Sequence, residues 1–318
     1  MKPAAFDYIR VETLDEVLSL LADSDLEAKI LAGGQSLVPM LNMRLARPKA
    51  LIDINKLAAL PLGAMELKRA SQAPLRAPTP PNKHAQGTFL QIGALVRQRQ
   101  LERYTAEEPG AKLIHTALTH IGHPQTRNQG TIGGSLAHAD PSAELPLIFL
   151  TLGGIAFLQS TRGERQVAAE DFFQSYFTTA LEPDEMLTKT QWKLPAPRDG
   201  VAFKEYRRRH GDFALVAAAC TMTIESDRTV RNVRLGLGGV SDTPVLVADV
   251  QQLVGEQLTN ERARAVADAV GNQFDFPDDY QASSAYRRQL ATVLMSHVLQ
   301  AAYEDALAKE GTHAADQG

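Results

Sequence analysis

Ile30-Leu31-Ala32-Gly33-Gly34-Gln35-Ser36-Leu37 is an apolar run that stops at two glycines and restarts after a hydroxyl, and Gly130-Thr131-Ile132-Gly133-Gly134-Ser135-Leu136 repeats the device later in the chain. In each copy the pattern predicts a buried strand feeding a turn whose glycines take positive φ and leave main-chain N–H groups unshielded by a Cβ. Successive N–H groups in such a turn form a nest that binds anions without a lysine. Two nests suit a pyrophosphate, which has two anionic centres. A single Gly-Gly is more often a plain tight turn or bulge, so the weight falls on the repetition. Neither pair leads into the Gly-Lys-Ser/Thr of a P-loop, and no Gly-x-Gly-x-x-Gly opens a helix after a strand. A nucleotide held here sits in neither of those two familiar cradles.

Composition narrows the class. A chain of 318 residues can bury a core and fill two or three domains. Its net charge of -4 argues against a nucleic-acid binder, which needs a basic face. The one cysteine, Cys220, follows three alanines and reads as a core residue. One cysteine can neither hold an iron–sulfur cluster nor close an internal disulfide. No apolar run reaches membrane-spanning length and the first residues lack a signal-peptide core, so a cytoplasmic protein is expected. His115, His120, His123 and His138 lie close in sequence, but without a His-Glu-x-x-His pattern no metal site is assigned.

Along the chain, Thr13 and Glu16 read as the capping box of a helix over residues 13–21. Strands are predicted at residues 6–11, 29–31 and 50–54, with the apolar segment 38–45 between the last two. Leu67 and residues 89–94 read as hairpin partners. Between them, residues 69–87 are rich in Pro and basic residues and read as a long exposed loop. Helices are expected at 95–104 and 111–120. Asp140 reads as a helix cap, and Glu144 as the carboxylate better placed to accept from ribose hydroxyls. A buried helix and strand over 147–158, a helix near 169–173 and a strand over 186–194 with the only tryptophan, Trp192, lead to the linker 195–200. Beyond it lie strands at 202–206, 214–223 and 231–240, a turn at Gly238-Gly239, helices at 259–270 and 284–308, and a polar tail from Lys309 that is expected to fray.

Taken together, Ala32-Gly33-Gly34-Gln35-Ser36, Arg44-Leu45-Ala46-Arg47-Pro48, Thr131-Ile132-Gly133-Gly134-Ser135 and Arg209-His210-Gly211-Asp212-Phe213-Ala214 resemble the FAD-binding medium subunit of the molybdenum hydroxylases, the carbon monoxide dehydrogenase and xanthine dehydrogenase family. The resemblance covers nearly the whole chain. It implies an α+β fold: a two-subdomain flavin-binding module of the vanillyl-alcohol oxidase (PCMH) type, residues 1–57 and 58–195, then a C-terminal domain of antiparallel sheet and helices, residues 196–308, and a tail, 309–318. It further implies that Ala32, Gly33, Gly34, Gln35, Ser36, Thr131, Ile132, Gly133, Gly134 and Ser135 line the FAD diphosphate. Glu144 takes the acidic contact to the ribose and ribityl side, and Leu187 and Lys204 lie near the isoalloxazine. The sequence departs from the family pattern at Ser135, where asparagine is common. The implied partners are a molybdenum-cofactor large subunit and an iron–sulfur small subunit, in an assembly that extends to a dimer of heterotrimers, with an external electron acceptor.

Three readings follow: an electron-transfer flavoprotein subunit, a stand-alone FAD oxidase or dehydrogenase of the vanillyl-alcohol oxidase type, and a nucleotide-holding scaffold. The first is favoured, because no evident base or nucleophile marks the flavin-proximal segments. No residue is nominated as catalytic, since in such a subunit the flavin carries the chemistry and the protein positions it.

Overall fold

The computed structural model describes residues 1–69 and 87–315. Residues 70–86, most of the Pro-rich stretch expected to form an exposed loop, lie outside the described residues. In chain order the elements are β1 Asp7–Arg10, α1 Leu14–Ala22, β2 Ala28–Leu31, α2 Leu37–Asn42, β3 Ala50–Asp53, β4 Met65–Arg69, β5 Thr88–Gly93, α3 Gln98–Glu107 and α4 Lys112–His120. Then come α5 Pro124–Gln129, α6 Ile132–His138, α7 Glu144–Thr151, β6 Ile155–Ser160, β7 Gly163–Ala168, α8 Ala169–Phe172, β8 Phe173–Ser175, β9 Thr178–Thr179 and β10 Met186–Leu194. The last are β11 Gly200–Tyr206, β12 Val216–Ile224, β13 Val230–Gly238, β14 Val245–Leu246, α9 Asn260–Gly271 and α10 Ser284–Ala315. The α+β class expected from the sequence is the class observed.

The chain forms two compact units and passes between them more than once. The first comprises Met1–Leu101, His123–Ala139 and Gly154–Trp192, and the second Glu102–Gly122, Asp140–Gly153 and Lys193–Gly318. In the first, a parallel sheet of order β1-β3-β2 has its central strand buried at every position. Parallel neighbours need crossovers, and α1 and α2 supply them. Val17 and Leu18 of α1 pack with Ile52, Ile54, Leu57 and Leu95 into one apolar cluster. The capping box is present as read: Thr13 Oγ1 accepts from the Glu16 N–H at 3.3 Å while Glu16 Oε2 accepts from Thr13 N–H at 3.3 Å. Thr13→Ala is therefore expected to cost about 1 kcal/mol, read as a lower denaturant midpoint at unchanged slope. The second sheet of this unit, β4-β5-β10-β6-β7, contains the expected β4–β5 hairpin pairing, and Trp192 lies fully buried with Nε1 donating to Thr190 Oγ1 at 2.7 Å.

The second unit is an antiparallel sheet, β11-β12-β13-β14, with helices on both faces. Strand alternation sorts the residues between those faces. Val216, Ala218, Cys220 and Met222 of β12, with Val233, Leu235 and Leu237 of β13, enter the core shared with α9 and α10. The opposite face receives α7, and there β13 carries Gly236 and Gly238. A Cβ on Gly236 would lie 2.2 Å from Thr151 Oγ1, and one on Gly238 3.3 Å from the Pro141 carbonyl oxygen. The Gly238-Gly239 turn is present, with Gly239 at φ +73° leading toward β14. Burial pushes the Cys220 thiol far above its ordinary pKa, as suits a core residue.

Two expectations need correction. Asp140 does not cap α7, whose N-cap is Ala143; it accepts instead from the Ser142 N–H at 2.9 Å and so closes a turn ahead of the helix. The stretch from Lys309 does not leave the helix, because α10 runs on to Ala315. There Lys309 is anchored by donating to the Asp199 carbonyl oxygen at 2.6 Å and to Asp305 Oδ2 at 2.8 Å.

Candidate functional site

The two glycine stretches meet inside the first unit. A Cβ on Gly33 would sit 2.4 Å from the Gln129 carbonyl oxygen and 2.9 Å from Gly130 Cα, and one on Gly134 3.9 Å from the Ala32 side chain. Gly33 is thus required by close approach of another backbone, and Gly34 by its φ of +70°. After β2 the chain turns at residues 33–36 into α2. Among the described residues the N–H groups of Gly33, Gly34, Gln35 and Ser36 donate to no protein acceptor. Four successive N–H groups on a turn with a left-handed glycine form the concavity that holds phosphate oxygens. This donor set fits one anionic end of a dinucleotide.

The second stretch is built differently from the expectation. It follows α5 rather than a strand, neither Gly133 nor Gly134 has a positive φ, and both lie in the first turn of α6. Its N–H groups are spent internally. Ile132 donates to the Val96 carbonyl at 3.0 Å, Gly133 to that of Ala94 at 2.9 Å, Gly134 to Thr131 Oγ1 at 3.1 Å and Ser135 to the Thr131 carbonyl at 3.1 Å. Gly133 lacks a side chain because Ala94 occupies the place, with its Cβ 2.5 Å from where one would be. The symmetry visible in the sequence therefore conceals a division of labour: the first stretch offers donors, and the second braces it.

A polar clip that the sequence reading missed holds the brace. Asn55 Nδ2 donates to the Ala32 carbonyl at 2.9 Å, Arg97 Nη2 donates to Asn55 Oδ1 at 2.7 Å, and Arg97 Nη1 donates to the Gln129 carbonyl. One guanidinium thereby ties both glycine stretches, using the forked donor geometry that lysine lacks. Asp53 orients the asparagine, accepting from Asn55 Nδ2 at 2.6 Å and from its N–H at 2.9 Å, and accepts from the Tyr8 hydroxyl as well. Burial alone would raise the Asp53 pKa, but the bonds from Tyr8 and Asn55 more than offset it and hold the carboxyl below its ordinary range. Asp53-Ile54-Asn55 at a strand end is the one signal in the sequence; Arg97, among other polar residues, carries none.

Leu187 also belongs to the first unit, buried on β10 opposite Leu158 of β6. Glu144 and Lys204 belong to the second. Lys204 is exposed on β11, with Nζ 3.5 Å from His297 Nδ1. Glu144 opens α7 and is only 4% exposed. Burial, the nearby Glu205 charge and Asp140 raise its pKa, against Arg207 and its own N–H, to about 8. The folded chain then holds a proton that the unfolded chain releases near 4.5. This contribution to stability is fully present below about pH 4.5 and is lost as pH rises through about 8, at up to about 1.4 kcal/mol per pH unit. Glu144→Gln is expected to flatten that part of the curve, as read by denaturant unfolding across the same range.

Residues 4–68 and 82–196 match the family described as the FAD binding domain in molybdopterin dehydrogenase, and residues 201–302 match the CO dehydrogenase flavoprotein C-terminal domain. These matches place the chain among the FAD-binding flavoproteins. The chain belongs to the FAD-binding medium subunits of the molybdenum hydroxylases, the carbon monoxide dehydrogenase and xanthine dehydrogenase family, and is an oxidoreductase subunit with FAD as its cofactor. It is 33% identical over 300 residues to the 6-hydroxypseudooxynicotine dehydrogenase complex subunit alpha of Paenarthrobacter nicotinovorans, covering 94% of this chain and 95% of that one. It is 31% identical to the carbon monoxide dehydrogenase medium chain of Afipia carboxidovorans, covering 95% and 98%. Among solved structures, a carbon monoxide dehydrogenase from Hydrogenophaga pseudoflava matches with a TM-score of 0.86 at 29% identity, over 96% of this chain and 99% of that one. Among the described residues no helix is long and apolar enough to cross a membrane.

Proposed function

We propose that this chain is the electron-relay subunit of a heterotrimeric molybdenum hydroxylase. Substrate is oxidised at a molybdenum cofactor on a large subunit, iron–sulfur clusters on a small subunit carry the electrons onward, and this chain passes them to an external acceptor. The observation that carries the reading is the nearly full-length likeness to chains named as subunits or medium chains of dehydrogenases. The single cysteine agrees with it, since clusters held by four thiolates must then reside on another chain.

Within this chain the N–H groups of residues 33–36 hold the FAD diphosphate, and Ala32 shapes the turn. Thr131, Ile132, Gly133, Gly134 and Ser135 fix its opposite wall. Glu144 meets a hydroxyl of the ribose or ribityl chain, and Leu187 and Lys204 serve the isoalloxazine end. FAD, once bound, supplies the redox chemistry, so the protein's task is to bind, orient and shield.

The test is capture of the tagged chain from its native cells, followed by flavin, molybdenum and iron analysis. Molybdenum and iron co-eluting with flavin in fixed proportion is expected. A flavin-bearing chain that elutes alone and turns over a substrate by itself would instead establish a stand-alone FAD oxidase, and would replace this reading.

A further inference from the structure

The second unit buries a group of charges that the family likeness leaves unassigned. Strand alternation on β11 turns Gly200 toward α10, where a Cβ would lie 1.8 Å from the Ala302 carbonyl oxygen, and so turns Glu205 to the opposite face, toward α4 and α7. There its side chain is 1% exposed, with Oε1 3.0 Å from Arg207 Nη1 and 3.2 Å from His120 Nδ1. Arg207 Nη1 also donates to the His120 carbonyl at 2.5 Å, and the His120 ring stands edge-on to Phe203 with centroids 5.2 Å apart. Both Glu205 carboxylate oxygens and His120 Nδ1 are buried without a hydrogen-bond partner among the described residues, so the contacts of Glu205 with Arg207 and His120 are close approaches of charge. Glu205 pairs across the strands with Ala217, and Ala217 with Gly238, where a Cβ would lie 3.3 Å from the Pro141 carbonyl oxygen; the buried Glu144 at the head of α7 and the buried Glu205 therefore lie on the same face of this sheet, with the Arg207 guanidinium beside Glu205. Like charges in such a place cannot both be ionised cheaply.

We propose that Glu205 is a positioning residue for the flavin site: its buried charge, tied to Arg207, holds the neighbouring Glu144 as a neutral carboxylic acid, whose O–H donates to a hydroxyl oxygen of the FAD ribose or ribityl chain. The inference rests on the assignment of Glu144 to that chain. A carboxylate at this position would accept only; an acid can also donate. The upward shift of Glu144 runs in the same direction, with burial first and Glu205 next among its causes.

The other charged groups on elements packed against α7 do not change the sign. On α4, Lys112 is paired with Asp305 at 2.7 Å, and His115 Nδ1 lies 3.1 Å from the Glu102 carbonyl oxygen. On β13, Arg234 donates to the carbonyls of Leu150 and Thr151, at the far end of α7 from Glu144. Asp140 adds negative charge and so acts with Glu205.

The experiment uses the full chain and two readouts, from about pH 6 to about pH 9.5. Difference infrared spectra against Glu144→Gln report the carbonyl band of a protonated side-chain acid, without any need for flavin. FAD dissociation constants are measured on the same samples and on Glu205→Gln. The wild type is expected to show the acid band at neutral pH and to lose it above about pH 8, with FAD affinity falling about tenfold per pH unit beyond that point. Glu144→Gln, whatever its absolute affinity, is expected to show no such pH dependence. In Glu205→Gln the band and the affinity loss both move to lower pH. A variant that merely disturbed packing would change affinity without moving the pH profile.

Absence of the acid band at neutral pH in the wild type overturns the proposal, as does a Glu205→Gln profile that does not move. An acid band that titrates as expected while FAD affinity stays flat locates the failure in the assignment of Glu144 to the flavin. Should Glu205→Gln not fold, Glu205→Asp supplies the second arm: a charge drawn back by one methylene is expected to move the band and the affinity loss to lower pH, and an unmoved profile overturns the proposal.

Discussion

Gly33→Val is expected to leave the purified chain nearly colourless, with FAD affinity reduced by up to about a hundredfold. The reason is not that the new branch would fill the space of a phosphate, as a reading of the loop in isolation suggests. The Cβ would lie 2.4 Å from a carbonyl oxygen and 2.9 Å from a Cα, and both are backbone atoms of residues 129–130. Neither can rotate away, so the turn at residues 33–36 must shift, and its four N–H groups shift with it. Overpacking of this kind costs about 1–3 kcal/mol, and at about 1.4 kcal/mol per tenfold the upper end of that range, expected where both blocking atoms are backbone, corresponds to a loss of about a hundredfold. Gly133→Val should behave alike, because Ala94 backbone atoms at 2.8 Å block it and the bond from the Gly133 N–H would be strained. Gly134→Ala is the control. Its Cβ meets chiefly Thr131 Oγ1, the end of a side chain, at 2.7 Å, and most of the flavin should remain. Flavin absorbance per chain after gel filtration reads all three. Flavin content equal to wild type in the two valine variants would refute the bracing role.

Gly200→Ala should cost the second unit a large part of its stability. Its Cβ would lie 1.8 Å from the Ala302 carbonyl oxygen and 2.7 Å from the Ala306 nitrogen, so α10 must lift from β11 along the whole contact. Burial between these elements includes Val298, Leu299 and Ala302, and displacing them is expected to cost about 3–5 kcal/mol. Gly236→Ala meets Thr151 Oγ1 and a leucine methyl, both movable, and should cost less. Denaturant midpoints for the two variants, measured on the full chain, decide the order. An unchanged midpoint for Gly200→Ala would mean that the helix does not press on the strand as described.

Elements whose information is local were legible in the sequence. The Thr13–Glu16 box, the β4–β5 pairing and the β10 strand over Met186–Leu194 are each read from a few adjacent residues. The two glycine stretches were legible as a pair, and the structure does bring them together. What a linear reading could not provide is which donors are already spent. Residues 33–36 and 132–135 look equivalent on paper, yet only the first set keeps its N–H groups: Val96 and Ala94, distant in sequence, accept from Ile132 and Gly133, and the neighbouring Thr131 accepts from Gly134 and Ser135. Arg97 was missed for the same reason. Its partners, Asn55 and Gln129, are 42 and 32 residues away, and its neighbours suggest only a polar helix start. Glu205 sits between a lysine and a tyrosine and looks solvated, until strand alternation and the α4–α7 layer place it inside.

We infer that the turn at residues 33–36 holds the FAD diphosphate and that the second glycine stretch shapes that turn. The most direct measurement is an experimental structure of the chain loaded with FAD. Diphosphate oxygens are expected within hydrogen-bonding distance of the N–H groups of Gly33, Gly34, Gln35 and Ser36, with the bonds from Gly133 to Ala94 and from Ile132 to Val96 still in place. Diphosphate bound elsewhere, with those four groups open to water, would contradict it.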